Sequence, residues 1–340
     1  MFATVVPGMS RLVADQLRGT PGIRVTESGF DGRSDVILFE VDRGHRQDVW
    51  LLRTIEDLFI EVGRTTRSDG DKPQWIAGRM WHPERVEKAL SVWAADVRPL
   101  AGTMSFRVIA RVLHERSFLR TELRNALSQT ISYGKPKWRF ADPSQIEVWT
   151  SEYRPGSFVT GLRLSTASMR QHDGREVERA GALRPTVAAM MVSLVGPPGA
   201  ALIDPCCGSG TILGEAIAAG WTDVMGTDID HDAVIIARRN APEASVEPGD
   251  ARALHLSSAS VDAVVSNLPF GRQYEIQGDP MTWFTRALAE MARVVRPGGR
   301  VVLLAPEIPP ASMPASLRID RQEPIRLLGT KTALWVLSRN

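Results

Sequence analysis

The run Leu202-Ile203-Asp204-Pro205-Cys206-Cys207-Gly208-Ser209-Gly210-Thr211-Ile212-Leu213-Gly214-Glu215 reads as an apolar strand closed by an acid, then a Gly/Ser turn, then an apolar helix. Glycine has no Cβ, so such a turn lets backbone come close to a ligand, and the new helix presents unpaired N–H groups and the positive end of its dipole. The functional reading is a small-molecule seat; the plain one is a tight structural turn. A dinucleotide site asks for a third glycine three residues after Gly210, where Leu213 stands, and an acid sits badly beside a pyrophosphate. An acidic strand end suits a cationic ligand, and S-adenosylmethionine, with its sulfonium and α-amino groups, fits. Asp204, Cys206, Gly208, Ser209, Gly210 and Thr211 are the candidate contacts.

Outward from this run the pattern is regular. Pro185–Val195, Thr211–Ala219, Ala233–Asn240 and Trp283–Val295 have helical spacing, and Ala201–Asp204, Val224–Asp228, Ala244–Glu247, Val261–Ser266 and Arg300–Ala305 read as strands. Strands alternating with helices predict a parallel sheet covered on both faces. The last segment, Ile319 to Ser338, predicts two strands joined around Gly329 with no helix between them. An antiparallel hairpin closing a parallel sheet matches the methyltransferase version of the doubly wound fold.

In an open α/β sheet the ligand lies beyond the carboxyl ends of the strands. Asp228 follows the second strand, 24 residues after Asp204, the separation at which an acid reaches ribose hydroxyls. Its alternative role, capping the next helix, fits Asp230 better. Asp250 follows the third strand and can accept from an adenine amine; Ile229 and Ala251 stand beside these acids. After the fourth strand comes Ser266-Asn267-Leu268-Pro269-Phe270-Gly271. Methylating an amine conjugated to a ring is hard because its lone pair is delocalised. Acceptors must draw on its N–H groups, and the Asn267 side chain and the Leu268 carbonyl can do so. Pro269 stiffens that backbone, and Phe270 offers a face for a base taken out of its stack. Alone, the run is also a plain Pro-containing strand exit.

The 340 residues suffice for two or three domains. Two adjacent cysteines offer neither a disulfide framework nor a metal spacing, no stretch has the length of a membrane span, and the N-terminus lacks the apolar core of a signal peptide. A cytoplasmic protein with no membrane partner is expected. Net charge is only +2, yet residues 105–182 hold 13 basic against 8 acidic side chains. Arg107, Arg111, Arg116, Arg120, Arg124, Lys135, Lys137 and Arg139 are interleaved there with Phe106, Phe118, Tyr133, Trp138 and Phe140. Basic charge with aromatics suits a nucleic-acid surface, with Arg107, Arg111, Arg120, Lys135 and Lys137 the candidate phosphate contacts. A solvated helix face over an ordinary core is the alternative.

Residues 1–60 predict a β-α-β-α order suggesting a ferredoxin-like half: strands Phe2–Val6 and Val36–Val41, helices Ser10–Leu17 and Asp48–Ile60. Gly63–Gln74, with Asp69-Gly70-Asp71, reads as a loop and boundary. Beyond it, Pro83–Ala95 and Thr121–Ile131 predict helices, and Ser105–Val112, Gln145–Trp149 and Ser157–Leu164 strands.

Taken together, Asp204-Pro205-Cys206-Cys207-Gly208-Ser209-Gly210, Leu183-Arg184-Pro185-Thr186 and Asn267-Leu268-Pro269-Phe270-Gly271 resemble the THUMP-domain tRNA guanine-N2 methyltransferases, which use S-adenosylmethionine. The resemblance implies an α/β chain with a ferredoxin-like unit at 1–62, a THUMP RNA-binding unit at 63–165, a linker at 166–182, and at 183–340 a Rossmann-like class I methyltransferase domain with a mixed seven-stranded sheet. It implies a monomer acting on tRNA near the acceptor stem, with Asn267, Leu268, Pro269 and Phe270 as catalytic residues. Met169-Arg170-Gln171-His172 departs from the Arg/Tyr-rich segment of that family. Methylation of ribosomal RNA guanine or adenine N6 keeps the same chemistry. A non-catalytic RNA-binding protein on this fold is the alternative of another class.

Overall fold

A computed structural model describes residues 1–66, 72–113, 117–166, 168–172, 176–177, 179, 181–269, 278–327 and 330–340. The chain divides into two compact units, Met1–Met169 and Arg170–Asn340.

The first unit opens with β1 (Phe2–Val5), the helix Ser10–Gly19, β2 (Ile23–Phe30), β3 (Asp35–Val41), the short helix Arg46–Trp50 and β4 (Asp57–Thr65). The order β2-β3-β1-β4, antiparallel throughout, makes this a complete β-α-β-β-α-β unit where the sequence suggested half of one. Two differences explain the shortfall. Only Ile23 is buried along β2, so the strand lacks the apolar alternation that would announce it. The helix expected over Asp48–Ile60 is a short helix followed by β4. Leu52, Ile55, Leu58 and Phe59 satisfy helical spacing, but β1 and β8 supply hydrogen-bonding partners on both edges of this segment, and pairing overrides local propensity.

The same sheet continues. β5 (Ser105–Arg111), β6 (Arg139–Phe140), β7 (Ile146–Arg154) and β8 (Ser157–Arg163) extend it in the order β4-β8-β7-β5-β6, with helices Pro73–Met80, Pro83–Asp96 and Arg120–Gly134 between strands. The boundary expected at 62/63 therefore falls inside β4, where Glu61 faces Gly161 and Gly63 faces Thr160. Nor is Gly63–Gln74 a loop throughout: its start is strand and its end is helix. Asp69-Gly70-Asp71 lies outside the described residues.

In the second unit β9 (Ala201–Asp204), β10 (Asp223–Asp228), β11 (Ser245–Pro248), β12 (Val261–Asn267) and β13 (Val295–Ala305) are parallel, while β14 (Leu317–Leu327) and β15 (Thr330–Arg339) are antiparallel. The order is β11-β10-β9-β12-β13-β15-β14. Helices Pro185–Val195, Thr211–Ala218, His231–Asn240 and Pro280–Val294 connect and cover the strands. β9 is buried along its length, and Ile203, Val264, Leu303 and Leu337 join Phe284, Leu288 and Met291 in one apolar cluster. The expected hairpin is present; Gly329 itself lies outside the described residues. Among the described residues no helix is long and apolar enough to cross a membrane.

Candidate active site

The order reverses at β9, because the chain steps to β10 on one side and later returns to β12 on the other. At this switch point the carboxyl ends of the strands bound a cavity of about 430 Å3. Its lining includes Asp204, Cys206, Gly208, Ser209, Thr211, Asp228, Ile229, Asp250, Ala251, Asn267, Leu268 and Pro269. Residues spread over 66 positions of sequence thus meet because each stands at a strand end. Phe270 lies outside the described residues.

Gly210 does not line the cavity, and its role is steric. It takes φ 82° at the head of the helix Thr211–Ala218, and a Cβ there would come within 3.1 Å of Ala237 Cα on the neighbouring helix. Gly208, at φ 53°, donates its N–H to Asp228 Oδ2 over 2.8 Å, and Asp230 N donates to Asp228 Oδ1 over 3.0 Å. The two bonds orient the Asp228 carboxylate, and each oxygen retains acceptor capacity for a hydroxyl. Asp230 caps the following helix by accepting from Asp232 N at 2.9 Å, as its position suggested.

Asp204 is fully buried and accepts from Ser266 Oγ at 2.7 Å and Cys206 N at 3.1 Å. Burial pushes its carboxyl up to about 7, the Asp228 charge adds to that, and the two hydrogen bonds oppose it. A cation beside it stabilises its ionised form. Burial also pushes both the Cys206 and Cys207 thiols up, which keeps them neutral and poor nucleophiles.

Asp250 is less available than its sequence position implied. Arg252 Nε reaches its Oδ1 at 2.9 Å and its Oδ2 at 3.0 Å, and a terminal guanidinium nitrogen lies 2.7 Å from Oδ2. The bond to Arg252 holds the Asp250 carboxyl below its ordinary value. An adenine amine reaching this acid shares it with Arg252.

Asn267 Oδ1 is buried in this lining with no hydrogen-bond partner among the described residues, and so is Thr211 Oγ1. Buried acceptors of this kind are costly unless something satisfies them, so the site is built for a donor-bearing ligand. S-adenosylmethionine fits the set. Asp204 suits its positive methionine end, Asp228 its ribose, and Ile229, 70% exposed, offers an apolar face to its adenine. Bound there, it supplies an electrophilic methyl on sulfur. The residues' part is to orient: Asn267 Oδ1 can accept an N–H of an incoming amine and so aim its lone pair.

Other cavity residues were not among the candidate contacts read from the sequence, although Leu183 opens one of the motifs that carry the resemblance. Arg179, Gly181, Ala182 and Leu183 line the cavity, three of them from the segment expected to be a linker, and Arg179 forms an ion pair with Asp230. Trp283 also lines it, from a helix that reads as ordinary core.

The basic stretch of the first unit divides in two. Arg107 and Arg111 share the half-buried face of β5. Arg107 pairs with Asp142 at 2.6 Å and with Glu147, opposite it on β7, at 2.5 Å. Arg111, 16% exposed, reaches the buried Asp31 at 2.8 Å and lies over the Trp149 ring, 4.7 Å from its centre. Lys135 pairs with Glu87. Arg107 and Arg111 are drawn into ion pairs within the unit, and Lys135 into a surface pair with the exposed Glu87, so these three are less available to phosphate than their sequence positions implied. Arg120 and Lys137 are exposed, with no ion pair among the described residues, and Arg124 and Arg139 are exposed as well. Tyr133 and Phe140, 92% and 61% exposed, accompany them.

The second unit has the class I methyltransferase fold. Residues 172–322 match the family described as RMKL-like, methyltransferase domain. The human U6 snRNA (guanine-N(2))-methyltransferase THUMPD2 is 36% identical over 158 residues, covering 44% of this chain but only 30% of that protein. A Thermus thermophilus tRNA (guanine(6)-N2)-methyltransferase is 26% identical over 252 residues, 71% of this chain and 74% of that one. The crystal structure of TrmN from Thermus thermophilus superposes with TM-score 0.77 at 24% identity, covering 100% of this chain and 99% of that one, so the fold of both units is shared.

Proposed function

We propose that the chain transfers a methyl group from S-adenosylmethionine to the exocyclic N2 of a guanine in RNA, and that the RNA is tRNA, modified in or near the acceptor stem. The observation that carries this reading is Asn267 Oδ1, a buried acceptor at the mouth of β12 that has no hydrogen-bond partner among the described residues. An exocyclic amine has N–H groups to give it, whereas a carbon acceptor has no comparable donor. Asn267, Leu268 and Pro269 orient the amine, with Phe270 as the stacking face. Asp204 and Asp228 hold the cofactor, and Asp250 with Ala251 meets its adenine. The names of the human and Thermus relatives, both guanine-N2 methyltransferases of RNA, support the choice of atom and substrate. In the first unit, Arg120, Arg124, Lys137 and Arg139 serve as phosphate contacts and Tyr133 and Phe140 as stacking faces, in the role of a THUMP unit spanning 63–165. The setting is the cytoplasm.

The test is incubation of the purified chain with labelled S-adenosylmethionine and unmodified tRNA, ribosomal RNA and DNA in separate pools, followed by nucleoside mass spectrometry. N2-methylguanosine in the tRNA pool is expected. Label in N6-methyladenosine, or in ribosomal RNA alone, overturns the assignment of atom or substrate.

A further inference from the structure

Asn240, the last residue of the helix His231–Asn240, is more than nine-tenths buried and does not itself line the cavity. Its side chain nevertheless makes four hydrogen bonds. Oδ1 accepts from Glu176 N at 2.9 Å and Val177 N at 3.0 Å, and Nδ2 donates to Val177 O and to Ser209 O, each at 2.9 Å. Two backbone donors face one end of the amide and two carbonyls the other, so only one orientation of the group satisfies all four. The same helix makes the close approach of Ala237 to Gly210. Its C-terminal turn therefore backs the Ser209-Gly210 turn directly, and through Asn240 ties it to Glu176-Val177, which precede Asn240 by more than 60 residues.

Of the tied segments, Ser209 lines the cavity beside Gly208, and Val177 stands two residues before Arg179, which lines it as well. We propose that Asn240 is a positioning residue for cofactor binding, a clamp that holds these two walls at one spacing without itself contacting the cofactor. The proposal rests on the reading of the cavity as the S-adenosylmethionine site. An alanine at 240 leaves two N–H groups and two carbonyls without their partner. Aspartate keeps the acceptor for Glu176 and Val177 but turns a second oxygen toward the carbonyls of Val177 and Ser209, so it does not substitute.

The experiment is calorimetric titration of the full chain with S-adenosylhomocysteine, with amide hydrogen exchange read at 176–177 and 208–210. If the parent fails to bind, the cofactor reading falls before any variant is made. With a binding parent, Asn240→Ala and Asn240→Asp should each weaken affinity about tenfold, the scale of one hydrogen-bonded support. They should also lose the slowing of exchange at 176–177 that the ligand produces in the parent. Val177→Pro removes one of the four bonds, leaves Asn240 in place, and should weaken affinity about threefold; it decides the matter if the Asn240 variants do not fold. A purely structural role predicts a lower melting temperature with affinity and ligand-dependent exchange unchanged well below it. Affinity within twofold of the parent in cooperatively folding variants overturns the proposal.

Discussion

The cavity of the second unit and the basic stretch of the first looked equally rich in functional residues, and the structure treats them differently. Around the cavity, Asn267 keeps an acceptor unspent and Asp228 keeps capacity to accept after its backbone bonds are made. On β5, the guanidinium groups of Arg107 and Arg111 are consumed by Glu147, Asp142 and Asp31. A motif on a strand end is aimed by the backbone of its own segment. A count of charges says nothing about whether each charge already has a partner, and a buried partner converts a candidate ligand contact into a structural brace.

Asn267→Ala should lower methyl transfer by two to three orders of magnitude, on the order of 10²–10³, the scale of losing one preorganised group in a transition state. Cofactor affinity should stay near the parent's. Single-turnover rates beside calorimetric titration check it, and a loss under about tenfold removes Asn267 from its role.

Arg111→Ala is expected to cost the first unit roughly 3 kcal/mol, because among the described residues Asp31 is left buried with Ser151 and the amides of residues 33 and 34 to satisfy it. Denaturant unfolding measures this. A stability change under about 0.5 kcal/mol, together with weaker RNA binding, would restore Arg111 as a surface contact.

Asp204→Asn tests the cavity's electrostatics. The folded-state value of about 7 lies above the ordinary 3.8, so the native state holds this proton more tightly than the unfolded chain. Ionising Asp204 therefore costs stability progressively as pH rises from about 4 to about 7, and the cost is complete above that. The amide removes it. The ligand-free protein should gain about 2 kcal/mol at pH 8 and much less at pH 5, less than the full shift implies because the amide bonds Ser266 and Cys206 more weakly. The same substitution should weaken cofactor binding. Thermal unfolding at both pH values decides it, and an equal gain at each sinks the explanation.

The smallest effect belongs to Lys137. Its replacement by alanine should change stability by less than about 0.5 kcal/mol and flatten the slope of log affinity for tRNA against log salt by a little under one unit. Arg107→Ala should leave that slope alone once loss of stability is accounted for. Filter binding across a salt series separates the two, and equal slopes for both variants and the parent remove the RNA surface.

Legibility followed locality. The alternation of apolar strands and helices after Leu183, the turn at Gly208-Ser209-Gly210 and the acids closing β9 and β10 depend on backbone conformations and periodicities contained within a few residues, and these were readable. So was the position of Asn267 at the carboxyl end of β12, because the strand's own pattern sets it. Asp48–Ile60 was not readable as β4, since its apolar spacing serves a helix equally well and only β1 and β8 decide between them. Domain limits failed for the same reason: β4 belongs to one sheet with β8, about a hundred residues later in the chain.

From the residues alone came the doubly wound second unit, the acids at its strand ends and the place of Asn267 at the end of β12. Tertiary structure alone decided which arginines are braces, that Arg252 occupies Asp250, and that Asn240 joins Val177 to Ser209. The physical reason is that electrostatic and hydrogen-bonding roles depend on what lies within about 3 Å in space and on how much water remains there. For Arg111 that neighbour, Asp31, is 80 residues away in the chain.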